Sequence, residues 1–425
     1  MNNILKQVNP ILDAKNELNE LIMNAIGCAV ANGTLSAEPI PAFKIEIPAD
    51  TKKGDFATNV AMISAKAFHK APNMIAKAIV DEMVFVGTSF EKAEIAGPGF
   101  INFFLNHNWF SNVIKSIDEE KDNYGRTDFG ANKKVMVEFV SANPTGPMHI
   151  GNARGGAIGD CLASVLDWAG YDVTKEFYVN DAGNQINKFA ISLEARYLEI
   201  FGCKDEFPED AYKGEDIITH AKNFAEINSD KFVNTSSEER QKALVDFALP
   251  INIANLKTDL ARYRINYDVW FLESTLHNAN QVEKCIDILT KNGLTYKSDD
   301  GALFYKASEF GGEKDEVLVR ANGIPTYFAA DIAYHYNKFE TRKFEKVINI
   351  WGADHHGHVL RLKGAMDAIG LDGNKLDVVL TQMVRLVKGG EIIKASKRSG
   401  KAITLITLLD EVPIDAARFF FNLRE

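Results

Sequence analysis

The chain has 425 residues, 46% hydrophobic and 25% charged, a composition that excludes a disordered chain and gives length for two or three domains. Its formal charge of -10 argues against a protein coated with nucleic acid, because phosphate contacts need clustered Lys and Arg. No stretch approaches about eighteen uninterrupted apolar residues and no basic segment leads into an apolar run at the start. Neither a membrane span nor a signal peptide is therefore expected, and the expected compartment is the cytoplasm.

Residues 11–30, ILDAKNELNELIMNAIGCAV, space their apolar residues as a helix does, and residues 42–50, AFKIEIPAD, alternate as a strand. Residues 54–84 predict two helices divided at Pro72. Residues 93–105, AEIAGPGFINFFL, predict two β-rich runs around a Gly-Pro-Gly turn. Together these form a small α+β module over residues 1–120. The polar run DEEKDNYGRTDFGANKK has no apolar period, so residues 121–133 read as a linker.

From residue 134 strand and helix alternate. KVMVEFV and DVTKEFYVN read as strands, GNARGGAIGDCLASVLDWAG and QINKFAISLEARYLEIFG as helices, and residues 205–265 as a mostly helical insertion. EKVINIWG, HVLRLKGAMDAIG and LDVVLTQMVRLV then read as strand, helix and strand. Such alternation predicts an α/β domain over residues 134–405, a parallel sheet with helices on its faces. Residues 406–425 begin a further amphipathic helix, whose Phe419, Phe420 and Phe421 have too little following chain to bury them. Cys28, Cys161, Cys203 and Cys285 lie far apart with no CxxC, which predicts reduced, mostly buried thiols and neither a zinc site nor a disulfide framework.

Two segments carry chemistry. SANPTGPMHIGNARGGAIGD, residues 141–160, places two prolines, five glycines and His149 at the carboxyl end of the first strand of the sheet and feeds a helix. Parallel sheets bind ligands at such ends, and a helix N-terminus there offers N–H groups and a positive dipole end to phosphate. Neither GxxxxGK[ST] nor GxGxxG is present. The second segment, RLVKGGEIIKASKRSGK, sets Arg385, Lys388, Lys394, Lys397, Arg398 and Lys401 against Glu391 alone, a local positive field on an acidic chain.

HIGN, His149 to Asn152, resembles the HIGH signature of class I aminoacyl-tRNA synthetases, and KASKR, Lys394 to Arg398, resembles their KMSKS signature, in the same order. Within that class EFVSANPTGPMHIGNARGGAIGD, YVNDAGNQI, YFAADIAYH, WGADHHGHV and KASKRSG resemble arginyl-tRNA synthetases. GDFATNVAM and GPGFINFFL resemble that family's N-terminal domain, which touches the outer corner of tRNA or only buttresses the core. The resemblance implies a Rossmann-like catalytic domain and ATP-dependent ligation of L-arginine to tRNA(Arg) through an arginyl-adenylate. It implies Mg2+ carried with ATP, no protein-bound metal, a monomer, and a helical C-terminal domain truncated here after residue 425.

It also implies residue roles. His149, Lys394 and Lys397 are expected to be catalytic, with His149, Gly151, Asn152, His355 and Lys397 on ATP. Asn152 stands where HIGH has histidine, and Ala395 where KMSKS has methionine. A guanidinium, five donors in a planar fork, pairs best with carboxylates. The family's arginine-binding set corresponds to Glu138, Asn143, Tyr327 and Asp331, with His355 at the substrate or ATP. Tyr327 and Asp331 are spaced to share a helical face and go to the guanidinium. Asn143 goes to the α-amino or carboxylate end, and Glu138 to either end. Asp181 either lines the pocket or caps the following helix. Cysteinyl and glutamyl enzymes share both signatures, but the sparse cysteines and the Tyr327/Asp331 spacing favour arginine. Intact His149, Lys394 and Lys397 argue against a silent RNA-binding relative.

Overall fold

The computed structural model describes residues 9–203, 207–209, 211–382, 384, 386–388, 391–393 and 404–423. The chain divides into two compact units, Met1–Asp128 and Phe129–Glu425.

In the first unit helix α1 (Pro10–Ala31) starts on Asn9, whose side chain accepts the Leu12 amide at 3.0 Å, with proline at the first helical position. Strands β1 (Ile45–Glu46) and β2 (Phe56–Thr58), helices α2 (Val60–Ile63) and α3 (Pro72–Asp81), strands β3 (Phe90–Ala96) and β4 (Phe100–Leu105), and helix α4 (His107–Glu120) follow. The strands form an antiparallel sheet in the order β1-β2-β4-β3. Leu18, Ile22 and Ile26 of α1 pack with Ile75 and Ile79 of α3 against Phe56, Phe90 and Phe103.

The helix expected just after residue 54 is instead β2 and the short α2. Phe56 and Thr58 are buried on β2 and pair with Phe103 and Ile101 of β4, and this cross-strand packing outweighs the helical spacing. The strand expected over 42–50 shrinks to Ile45–Glu46.

The second unit opens with β5 (Lys134–Glu138), α5 (Ile150–Trp168), β6 (Asp172–Val179), α6 (Gly183–Ile200), α7 (Glu215–Asn228), α8 (Ser237–Arg262) and β7 (Val269–Leu272). It continues through α9 (Ser274–Asn278), α10 (Gln281–Lys291), β8 (Thr295–Lys297), β9 (Leu303–Tyr305), β10 (Glu316–Val319), α11 (Tyr327–Tyr336), β11 (Lys346–Gly352) and α12 (His356–Ala368). Last come β12 (Leu376–Thr381), β13 (Leu386–Lys388), β14 (Glu391–Ile393), α13 (Leu405–Glu411) and α14 (Ile414–Leu423).

Its main sheet is parallel throughout, in the order β12-β11-β5-β6-β7. The chain leaves β5 toward β6 and β7 on one side and later fills β11 and β12 on the other. The topological switch point therefore lies between β5 and β11. Val137 and Phe139 pack with Ala153 and Ala157 of α5 and Leu256 and Leu260 of α8, while Met136 packs with Phe328 and Ile332 of α11. Gly159 lets α5 lie close to the end of β5, because a β-carbon there would collide with the Phe139 ring. Helices α6, α7 and α8 share a core of their own around Phe189, Tyr197, Phe224 and Leu244.

Strands β8, β9 and β10 form a small antiparallel sheet that the apolar pattern did not announce. The strand expected over 376–387 stops at Thr381, and β13 pairs with β14 as a hairpin instead. Of the four free cysteines only Cys285 is buried; Cys28 is exposed, beside the buried Ala25, Ile26 and Ala29 of α1. Among the described residues no helix is long and apolar enough to cross a membrane.

Candidate active site

The turn from β5 to α5 is strained at its start. Val140 and Ser141 take φ of 70° and 43°, in the left-handed region that a β-branched valine disfavours. Ser141 fixes it: its hydroxyl donates to Glu138 Oε1 at 2.9 Å and accepts the Tyr178 amide at 3.2 Å. At the far end His149 caps α5, its Nδ1 accepting the Gly151 amide at 3.0 Å, so the ring proton sits on Nε2. This bond engages the Gly151 N–H that the sequence assigned to phosphate, and the Asn152 amide donates to the His149 carbonyl at 2.9 Å. Thr404 pairs with His149 and the Leu405 amide donates to the Met148 carbonyl at 2.9 Å, so the chain leaving the basic segment returns beside this turn. Lys394 and Lys397 themselves lie outside the described residues.

Beyond the carboxyl ends of β5, β6 and β11 opens a cleft of about 820 Å³. Glu138, Asn143, Gly151, Asn152, Tyr327, Asp331 and His355 line it, and His149 does not. Tyr327 and Asp331 come from the first turns of α11, which Thr326 caps. His355 stands in the turn before α12 with its side chain 59% exposed. Asp181 does neither thing expected of it. Its carboxylate accepts the Ser274 amide at 2.8 Å and the Ser274 hydroxyl at 2.6 Å, tying it to the start of α9, while α6 begins without a side-chain cap. Strands β6 and β7 are neighbours, so the turns that follow them meet.

The cleft has a buried ionic floor. Asn349, Glu138 and Glu176 are register partners across β11, β5 and β6. After α11 a π-helical turn, Asn337–Thr341, brings Lys338 over this row. The Lys338 ammonium donates to Glu138 Oε2 at 2.5 Å and Asn349 Oδ1 at 3.2 Å, 4.0 Å from the centre of the Tyr334 ring. Arg342 donates to both Glu176 oxygens, at 3.0 and 2.5 Å, and the Tyr334 hydroxyl donates to Oε1. Each buried carboxylate thus has its own cation. Glu138, assigned to arginine from the sequence, has both oxygens engaged, by Ser141 and Lys338.

Above the floor two further carboxylates, Glu273 and Asp331, face histidines rather than a lysine or arginine. Glu273, 3% exposed at the end of β7, accepts the Tyr178 hydroxyl at 2.8 Å and approaches His277 at 3.4 Å. Burial raises its carboxyl above the usual range; Tyr178 and His277 oppose this, and the charge of Asp331 reinforces it. The Tyr178 phenol is pushed far up, first by burial and then by Glu273, Asp331 and, last, Glu138. The Tyr327 hydroxyl accepts the Asn184 amide at 3.1 Å, and its ring lines both the cleft and an adjoining cavity of about 350 Å³ that contains Glu273. The His358 ring reaches Asp331 Oδ2 at 2.8 Å, while His355 lies against Trp351 at 5.9 Å between ring centres. Among the described residues no group of three or more His, Cys, Asp or Glu could hold a metal ion.

A family model described as tRNA synthetases class I (R), catalytic domain, matches residues 113–421, and one described as arginyl tRNA synthetase N terminal domain matches residues 16–105. The arginine–tRNA ligase of Caldanaerobacter subterraneus is 56% identical over 416 residues, 98% of this chain and 74% of that protein. The chain belongs to the arginyl-tRNA synthetase family. The corresponding ligase of Acetivibrio thermocellus is 55% identical over 97% of the chain and 74% of its own length. A solved arginyl-tRNA synthetase from Thermus thermophilus superposes with a TM-score of 0.61 over 96% of this chain and 73% of that one; at 22% identity it shows the shared class I fold. The enzyme's reaction is the ligation of arginine to tRNA for translation.

Several residues of this synthetase's cleft escaped the sequence reading. Tyr178, Asn180 and Trp351 all line it from strand ends, where the rule for parallel sheets could have found them. Glu273 was hidden because β7 is only four residues long and follows two long helices. His335 and Lys338 look like ordinary helix residues, His358 stood out only as one of the clustered histidines of WGADHHGHV that could by composition bind a metal, and only packing brings the three together.

Proposed function

We propose that this synthetase activates L-arginine with Mg·ATP as arginyl-adenylate and transfers the arginyl group to the terminal adenosine of tRNA(Arg), in the cytoplasm. The guanidinium sits between Asp331 and Glu273, with the Tyr327 and Tyr178 hydroxyls beside it. The observation that carries this reading is a pair of carboxylates on either side of Tyr327, Asp331 in the cleft and Glu273 in the adjoining cavity, which bond to histidines and a tyrosine rather than to a lysine or arginine. A planar five-donor fork can satisfy both.

Asn143 takes the α-amino or carboxylate end of arginine. Glu138 holds the strained turn through Ser141. ATP lies along Gly151, Asn152 and Gly155, with His355 at its rim and the Nε2–H of His149 donating to phosphate. The arginine carboxylate attacks the α-phosphate in line, so the protein's task is to align the reactants and stabilise charge on phosphate oxygens. Lys394 and Lys397 supply cations for the departing pyrophosphate; the return of the chain to His149 at Thr404 supports this placement.

The test is calorimetric titration of L-arginine in the presence of a non-hydrolysable ATP analogue, with L-lysine and L-glutamate as competitors. The reading predicts selective arginine binding, weakened about tenfold or more in Asp331→Ala by loss of a charge-assisted hydrogen bond, with the affinity for the ATP analogue retained. Arginine binding no tighter than its competitors overturns it.

A further inference from the structure

Asp331 is gripped by two histidines from different elements. His335 Nδ1 lies 2.8 Å from the Asp331 carbonyl, which can only accept, so Nδ1 carries the proton. Its Nε2 then faces the Asn349 amide at 3.1 Å, consistent with Asn349 Oδ1 being taken by Lys338. His358 is set the other way. An Arg361 N–H reaches its Nδ1 at 3.4 Å, and a guanidinium can only donate, so Nδ1 is the unprotonated nitrogen and Nε2–H points to Asp331 Oδ2 at 2.8 Å. Arg361 is anchored in turn by Glu316 of β10 at 2.6 Å and the Gly357 carbonyl at 3.0 Å. The His358 ring is held between Trp351 and Phe328, at 5.5 and 5.7 Å between centres.

We propose that His358 is a positioning residue for arginine recognition: it occupies Asp331 Oδ2, fixes the carboxylate's rotamer and leaves Oδ1 for the guanidinium. Arg361 selects the tautomer that lets it do so. This rests on the reading that Asp331 receives the guanidinium. Because the donor to Asp331 is Nε2, a glutamine at 358 can reproduce it, whereas an asparagine reproduces only the Nδ1 side facing Arg361.

The experiment compares His358→Gln, His358→Asn and Asp331→Asn in the full chain, measuring dissociation constants for L-arginine and for a non-hydrolysable ATP analogue, with L-citrulline as the uncharged competitor. The expected result is arginine affinity within about threefold of wild type in His358→Gln, and a loss of about tenfold in His358→Asn for one missing hydrogen bond to a charged acceptor. The preference for arginine over citrulline should fall in His358→Asn alone of the two. ATP-analogue affinity, which a general structural defect would lower, should stay unchanged in both. Equal behaviour of the two amide variants, with Asp331→Asn still impaired, overturns the role of His358. Unchanged arginine affinity in Asp331→Asn overturns the guanidinium reading and this proposal with it.

Discussion

With arginine seated as proposed, Glu273 is where pH enters its recognition. Its carboxyl lies above the usual range through burial, and the guanidinium needs it ionised. Arginine affinity should be complete at pH values well above that raised point and fall as pH drops through it, starting at a higher pH than an unperturbed glutamate at about 4.3 would allow. Glu273→Gln should weaken arginine by about 10- to 100-fold, roughly 1.4–2.8 kcal/mol, and make the acidic fall begin at a lower pH, where only the Asp331 carboxylate is lost. Dissociation constants measured from neutral pH downward check both; an acidic fall that begins at the same pH in the variant contradicts the assignment. Tyr327 and Asp331 came into view through the resemblance of YFAADIAYH to the family, with a spacing that lets them share one helical face. The roles of Glu273 and His358 were not legible, since they depend on which turn lies against which.

The π-helical turn after α11 accounts for how two buried carboxylates are tolerated in the centre of a parallel sheet. Lys338 has no exposed surface and pairs with Glu138, which is also buried. Lys338→Met would leave that carboxylate buried without its cation, at a cost of about 3–5 kcal/mol, whereas Lys338→Met combined with Glu138→Gln removes both charges and should recover most of the loss. Chemical denaturation of the wild type, both single variants and the double variant measures this; a double variant whose loss is the sum of the singles would show that the pair is not coupled. The alternation of apolar strands and amphipathic helices made the parallel sheet readable, because its strands are buried on both faces. The polar row Asn349–Glu138–Glu176 was not readable, since register across three strands far apart in sequence creates it. Short strands such as β1, β2 and β8–β10 owe their form to cross-strand partners rather than to their own pattern.

At the scale of the molecule, the two signature segments were legible because each has unusual local chemistry: glycines and a histidine in one, clustered cations in the other. The fold gives their order a geometric sense, since the switch point between β5 and β11 places the first at the cleft and the pairing of Thr404 with His149 brings back the chain that follows the second. We propose that arginine binds this cleft with its guanidinium between Asp331 and Glu273 and with ATP along the start of α5. A crystal structure with L-arginine and a non-hydrolysable ATP analogue should show guanidinium nitrogens within hydrogen-bonding distance of Asp331 Oδ1 and Glu273, with the nucleotide against Gly151 and Asn152. Arginine bound with its guanidinium away from both carboxylates, or a nucleotide seated elsewhere, would contradict it.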